Sequence, residues 1–232
     1  LINIIKISFL DFYYMIKTRI FIILNILTVL AIFFISNTVL KKVGVSRISN
    51  VVAFCQYFLM VFFVSLAVAK DLLFKTSKFI FTGYFSRISV MFEKLMVVLL
   101  IGLFYGLLIY IITVVLTTLK YASFNFSYFL DQKALNYILI SILYAFFVGS
   151  ISLLMLSVKI NGKNLLFINF FIFELNMWIN EIYPAILKKV FEIPEKWIIF
   201  GNITLEQVLI ISSVSISCYI LSLLITEKVS LV

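Results

Sequence analysis

Residues 95–119 read LMVVLLIGLFYGLLIYIITVVLTTL, without a charged side chain from end to end. A hydrocarbon core about 30 Å thick is crossed by roughly 20 mainly apolar residues in a helix. The apolar positions do not alternate with polar ones, so the stretch reads as a helix and not as a strand of a lipid-facing barrel. It also holds Gly102-x-x-x-Gly106. Small residues four apart share one helix face and let two helices approach closely in lipid. The next long apolar stretch, 134–158, carries Ala145-x-x-x-Gly149, and a short connection makes the two stretches neighbours. Packing of these faces inside one chain is therefore expected over dimerisation.

The rest of the chain has the same character. Of its residues 64% are hydrophobic and 12% charged, where a soluble domain has roughly 45–50% and about 25%. So much apolar surface cannot be hidden in a water-soluble core, and the fold class is an all-α integral membrane protein. Six segments reach spanning length: 20–40, 51–69, 95–119, 134–158, 165–182 and 205–225. No composition shift marks a second domain, so residues 1–232 read as one transmembrane domain with both termini on one side. Before the first span, Ile2, Ile5, Phe9, Phe12 and Ile16 recur at steps of three and four. Lys6, Asp11, Lys17 and Arg19 make residues 1–19 too charged to span, and a helix lying in the membrane interface is expected. Both prolines, Pro184 and Pro194, lie between spans five and six, where they mark helix starts or breaks. Trp197 and Tyr183 suit an interface there, and one or two short outer-face helices are expected.

Orientation follows from Lys and Arg in short loops. Of the 19, the side holding the N-terminus collects Lys6, Lys17, Arg19, Lys70, Lys75, Lys78, Arg87, Lys94, Lys159, Lys163 and Lys228. The other side has Lys41, Lys42, Arg47, Lys120, Lys133, Lys188, Lys189 and Lys196. The bias predicts cytoplasmic termini in a multi-pass cytoplasmic-membrane protein. The first apolar run is too long for the core of a cleavable signal and leads to no small-residue cleavage site.

Several chemistries are excluded. Without histidine there is no HExxH metal site, imidazole relay or Ser-His nucleophile. Cys55 and Cys218 sit inside apolar runs and read as small hydrophobes. The serines of span six, Ser212, Ser213, Ser215, Ser217 and Ser222, read as helix packing. No GxxxxGK[ST] or helix-opening GxGxxG occurs, so the chain has no nucleotide site of its own. The net charge of +9 is spread over membrane-flanking loops, which suits topology and lipid headgroups better than nucleic acid.

Glu174 is the one acid deep in a span, where a charged carboxylate costs about 2.5–3.5 kcal/mol or more. With Asn169, Asn176 and Asn180 on another arc of the same helix, it gives two readings. One is the wall of a substrate pathway or a contact between subunits. The other is an internal hydrogen bond, for which Gln56 in span two is the candidate partner.

Residues 69–94, AKDLLFKTSKFIFTGYFSRISVMFEK, form the longest break between spans. They combine Lys70, Lys75, Lys78, Arg87 and Lys94 with Phe74, Phe79, Phe81, Tyr84 and Phe85, so the segment needs something to dock on. Six spans, an interfacial first helix and this basic, aromatic segment resemble the permeases of type-2 ATP-binding-cassette (ABC) transporters. In that family an acidic residue after span two is followed by a short coupling helix, then Ser-Arg, then a lysine before span three. Asp71, Ser86-Arg87 and Lys94 match those positions. Glu93 departs from the usual small residue before the lysine, and a proline before Ser-Arg is absent.

The resemblance implies a transport subunit with no catalytic residues or cofactor of its own, and a cytoplasmic ABC ATPase partner that holds ATP and Mg. It implies a second permease copy or homologue beside it in a bacterial cytoplasmic membrane. Its coupling residues would be Asp71, Phe74, Lys75, Lys78, Phe81, Tyr84, Phe85, Ser86, Arg87 and Lys94. Its pathway would include Gln56, Asn169, Glu174, Asn176 and Asn180. The small size resembles permeases that export antimicrobial peptides or amphipathic phenol-soluble modulins. The alternative is a proton-coupled secondary transporter working through Glu174.

Overall fold

The computed structural model describes residues 2–39, 48–73, 86–121, 132–158, 160–174 and 185–228; side chains at several helix ends, among them Asp71, Arg87 and Glu174, lie outside the described set. The described residues form helices α1 (Ile2–Ile16), α2 (Arg19–Val39), α3 (Ile48–Leu73), α4 (Arg87–Tyr121) and α5 (Gln132–Ser157). They continue through α6 (Gly162–Asn169), a π-helical turn (Phe170–Glu174), α7 (Ala185–Phe200) and α8 (Leu205–Lys228), with no strand among them. Four helices are long and apolar enough to cross a membrane, over Ile48–Lys70, Ile88–Leu119, Leu135–Ser157 and Leu205–Thr226. A fifth crossing is reached if α1 and α2, which meet at 62°, count as one bent span.

The expected count of six is thus not reached among the described residues. The segment 165–182 starts as the short helix α6 and the π turn, and its remainder lies outside them. The expected span 20–40 corresponds to α2 (Arg19–Val39), which follows α1 across a 62° bend.

The centre of the bundle is the antiparallel pair α4 and α5, which share the largest contact, flanked by α3 and α8. The glycine motifs explain the pair. A Cβ placed on Gly102 would lie 2.7 Å from Ala145 Cβ and 2.9 Å from the Ser141 carbonyl oxygen. One on Gly106 would lie 2.8 Å from Ile138 Cα, and one on Gly149 would lie 2.5 Å from Val98 Cγ1. The contacts Val98–Gly149, Gly102–Ala145 and Gly106–Ser141 step by four in opposite directions along the two helices. Each helix turn meets a small residue, which lets the backbones close without a void. The small-residue faces pack within the chain, as the sequence suggests.

Thr18 makes the corner between α1 and α2. Its hydroxyl donates to the Met15 carbonyl at 2.7 Å and accepts from the Phe21 N–H at 3.3 Å, so one side chain ends α1 and caps α2. α1 packs against α4. Its expected apolar stripe is split: Phe12 and Ile16 turn to the core, whereas Phe9 is 53% exposed beside Leu10, Tyr13 and Tyr14. Lys17 covers the Tyr13 ring at 4.4 Å, an apolar body with a cationic edge suited to headgroup depth.

Two expectations at the other end are corrected. Pro194 lies inside α7 and neither starts nor breaks it. Trp197 presents no surface to lipid or water: it is fully buried, and its Nε1 donates to Gln207 Oε1 at 2.8 Å, while Tyr183 and Pro184 lie outside the described residues. Gln207 also accepts from the Thr204 N–H, while Thr204 Oγ1 accepts from the Gln207 N–H. That reciprocal capping box starts α8 and ties its first turn to α7.

Candidate functional site

The end of the bundle where α3 stops and α4 begins is built by short-range rules. Ser86 is the N-cap of α4: its Oγ accepts from the Ser89 N–H at 3.2 Å and lies 2.8 Å from Ser89 Oγ. Arg87 is the first residue of α4. The Ser-Arg pair therefore marks a helix start.

About two turns further on, the chain buries an ion cluster. Lys94 is 4% exposed and Glu93 8%. Lys94 Nζ lies 3.5 Å from Asp11 Oδ2 and 3.5 Å from Glu93 Oε2. Lys70, in the last turn of α3, pairs with Asp11 Oδ1. Ser8, one turn before Asp11, donates its one hydroxyl hydrogen chiefly to the Ile4 carbonyl at 2.9 Å, with the Glu93 carbonyl at 3.4 Å. Burial works to raise the Asp11 carboxyl, but Lys94 and Lys70 outweigh it and hold the group below its ordinary value. The Asp11 carboxylate facing both lysines makes a buried Lys94 tolerable.

Lys94 thus faces inward, so it is not available as a contact on an outer docking surface. Glu93 has a local explanation as the second counter-charge of Lys94. Of the other expected coupling residues, Asp71 lies in the last turn of α3 without a described side chain, and Phe74, Lys75, Lys78, Phe81, Tyr84 and Phe85 lie outside the described residues. Asp11, Ser8 and Lys70 are the members that sequence reasoning missed as a site. Asp11 is the only acidic residue among the first 70, and that isolation is the signal that could have found it.

The expected pathway residues do not form one site among the described residues. Asn169 is fully buried, and its Nδ2 donates to Ser65 Oγ on α3 and Ser152 Oγ on α5, both at 2.7 Å. The arrangement pins α6 to two spanning helices immediately before the π turn. Asn169 Oδ1 has no hydrogen-bond partner among the described residues. Gln56 is also fully buried, and neither Nε2 nor Oε1 finds a partner among the described residues. Gln56 and Ser65 stand on the same helix at levels about 13 Å apart, at a rise of about 1.5 Å per residue, so the two buried amides are separate. Glu174 ends the π turn, with its side chain outside the described residues, as are Asn176 and Asn180. Compared with protein-family models and with curated proteins, the sequence matches none.

Proposed function

We propose that this chain is the permease subunit of an ATP-driven exporter of the ABC type, paired with a second permease copy or a homologue and powered by a separate cytoplasmic ATPase. Its substrate is hydrophobic or amphipathic, with peptides the leading class. The observation that carries this reading is the ion cluster. Asp11 ties Lys70, in the last turn of α3, to Lys94, about two turns into α4, and these two helices flank the basic, aromatic stretch 74–85 in the sequence. A segment rich in Phe, Tyr and Lys whose flanking helices share a braced base suits a part that receives force from a protein partner. The chain's lack of a nucleotide motif makes that partner the ATPase. Lys94 and Asp11 then serve coupling indirectly, by holding the base. Exposed apolar faces on α2 and α8 suit lipid and a second permease.

The test is co-purification with an ATPase encoded beside this chain. Reversing Lys75, Lys78 and Arg87 to Glu together is expected to cut recovery of the complex about tenfold, equivalent to about 1.4 kcal/mol of binding. Unchanged recovery together with unchanged ATP-driven transport overturns the proposal. Transport that survives Glu174→Gln and collapse of the proton gradient, yet stops with the ATPase, sinks the proton-coupled alternative.

A further inference from the structure

We infer that the outer stripe of α1 is a binding surface for anionic phospholipid headgroups, with Lys6, Lys17 and Arg19 as its cations. Such a surface would serve the seating of this chain in its membrane whatever the chain transports.

The stripe follows from helix geometry. Lys17 continues the last turn of α1, its N–H bonding the Tyr13 carbonyl at 3.2 Å. At 3.6 residues per turn, Lys6, Leu10, Tyr13 and Lys17 then fall within about 60° of one line along the helix. All four are exposed, as are Phe9 and Tyr14 on either side of them and Arg19 just beyond. The opposite face turns Ser8, Phe12 and Met15 to the bundle. Asp11, the only acid among the first 70 residues, lies about 140° round from Lys6, where Lys70 and Lys94 take it up. Among the described residues no acid pairs with Lys6, Lys17 or Arg19, whereas Lys196, exposed at the other end of the bundle, is met by Glu192 at 3.1 Å. The stripe therefore keeps three uncompensated positive charges.

Orientation gives this surface its ligand. The corner at Thr18 bends α1 by 62° from α2. With α2 along the bilayer normal, α1 lies about 30° from the membrane plane, as an interfacial helix does. Phe9, Leu10, Tyr13 and Tyr14 can then enter the acyl boundary while the lysine and arginine stems reach back to the phosphates. A soluble acidic partner would match the cations but leave these large side chains in water. A zwitterionic lipid would cover the side chains but leave the net charge unmatched. An anionic monolayer answers both.

The experiment uses the full chain in mixed phosphatidylcholine and phosphatidylglycerol vesicles. Tyr14→Trp is the reporter beside the stripe, and Phe200→Trp, also exposed, reports from the opposite end. Emission of the chain without an added indole is subtracted. Quenching by one lipid or the other in brominated form gives their relative affinity at each reporter. At Tyr14→Trp phosphatidylglycerol is expected to be preferred about tenfold or more, since one cation at an anionic surface is worth about fivefold. At Phe200→Trp the preference should stay below about twofold, as should that at Tyr14→Trp once Lys6, Lys17 and Arg19 are all changed to Gln. Raising salt from about 0.05 to about 0.5 M should weaken the preference several-fold, and this arm needs no cation variant to fold. Equal affinity of the two lipids at Tyr14→Trp, a preference unmoved by salt or by the three Gln changes, or one as strong at Phe200→Trp overturns the inference. So does loss of the preference on adding millimolar inorganic phosphate, which would make the ligand a free anion.

Discussion

Gly102→Leu is expected to force α4 and α5 apart and to destabilise the chain by about 3 kcal/mol or more, the upper range for an overpacked interior. Even a single added carbon meets Ala145 Cβ at 2.7 Å, the Ser141 carbonyl oxygen at 2.9 Å and Ile142 Cα at 3.0 Å. Two of these three are backbone atoms of the facing helix, which cannot rotate away. Gly106 is in the same position, with Ile138 Cα and the Ile138 carbonyl oxygen at 2.8 and 3.1 Å. Gly149 differs, because its neighbour is only the Val98 side chain. Thermal melting of the purified chain in detergent should therefore rank Gly102→Leu as severe. Gly149→Ala should be rescued by Val98→Ala, whereas Gly102→Ala should be rescued only in part by Ala145→Gly. A Gly102→Leu chain that melts like the unaltered one would contradict the packing.

Trp197→Ala should cost about 3–5 kcal/mol, the usual penalty for removing a fully buried large aromatic. Trp197 sits at the end of α7, where three other contacts converge. The Gly201 N–H donates to the Trp197 carbonyl at 2.8 Å, and Gly201 has φ +65°, which a side chain there would resist. Tyr137 Oη donates to Asn50 Oδ1 at 2.8 Å and to the Ile198 carbonyl at 3.2 Å. Removing the indole therefore leaves a void beside these ties and breaks the bond from α7 to Gln207 on α8. Trp197→Phe keeps most of the ring volume and loses only the bond to Gln207, so its loss should be nearer 1 kcal/mol. Melting midpoints of the two variants measure the difference. Equal losses would assign the effect to the hydrogen bond and not to packing.

Trp197 also shows where sequence reading stops. A tryptophan after a proline in an apolar segment fits a membrane interface and a buried anchor equally well in composition. Only the neighbouring capping box of Thr204 and Gln207, folded back over it, decides for burial. The Gly102 and Gly106 motif lies at the other extreme. Its partner motif was legible because both recur at steps of four in adjacent stretches, and the geometry of close helices in lipid leaves few ways to use them.

The candidate site falls between these cases. Ser86 could be located from its place before an apolar helix, although its capping bond needed coordinates. Lys94 was legible as a basic residue at the root of a span, but its direction was not. Its partner Asp11 is 83 residues away, and no local periodicity connects them. Gln56 was a reasonable partner for a membrane-buried acid, yet its amide stays unpaired among the described residues.

By itself the sequence determined the solvent and the main elements of this protein. So large an apolar share can be satisfied only in lipid, and lipid admits a chain of this pattern only as helices whose backbone bonds are internal. Small residues at helical spacing then specified the α4–α5 contact. Tertiary structure alone decided which charges meet. Ion pairs and buried amides depend on which helix ends are brought together across the bundle, and the one-dimensional spacing of charges does not record that.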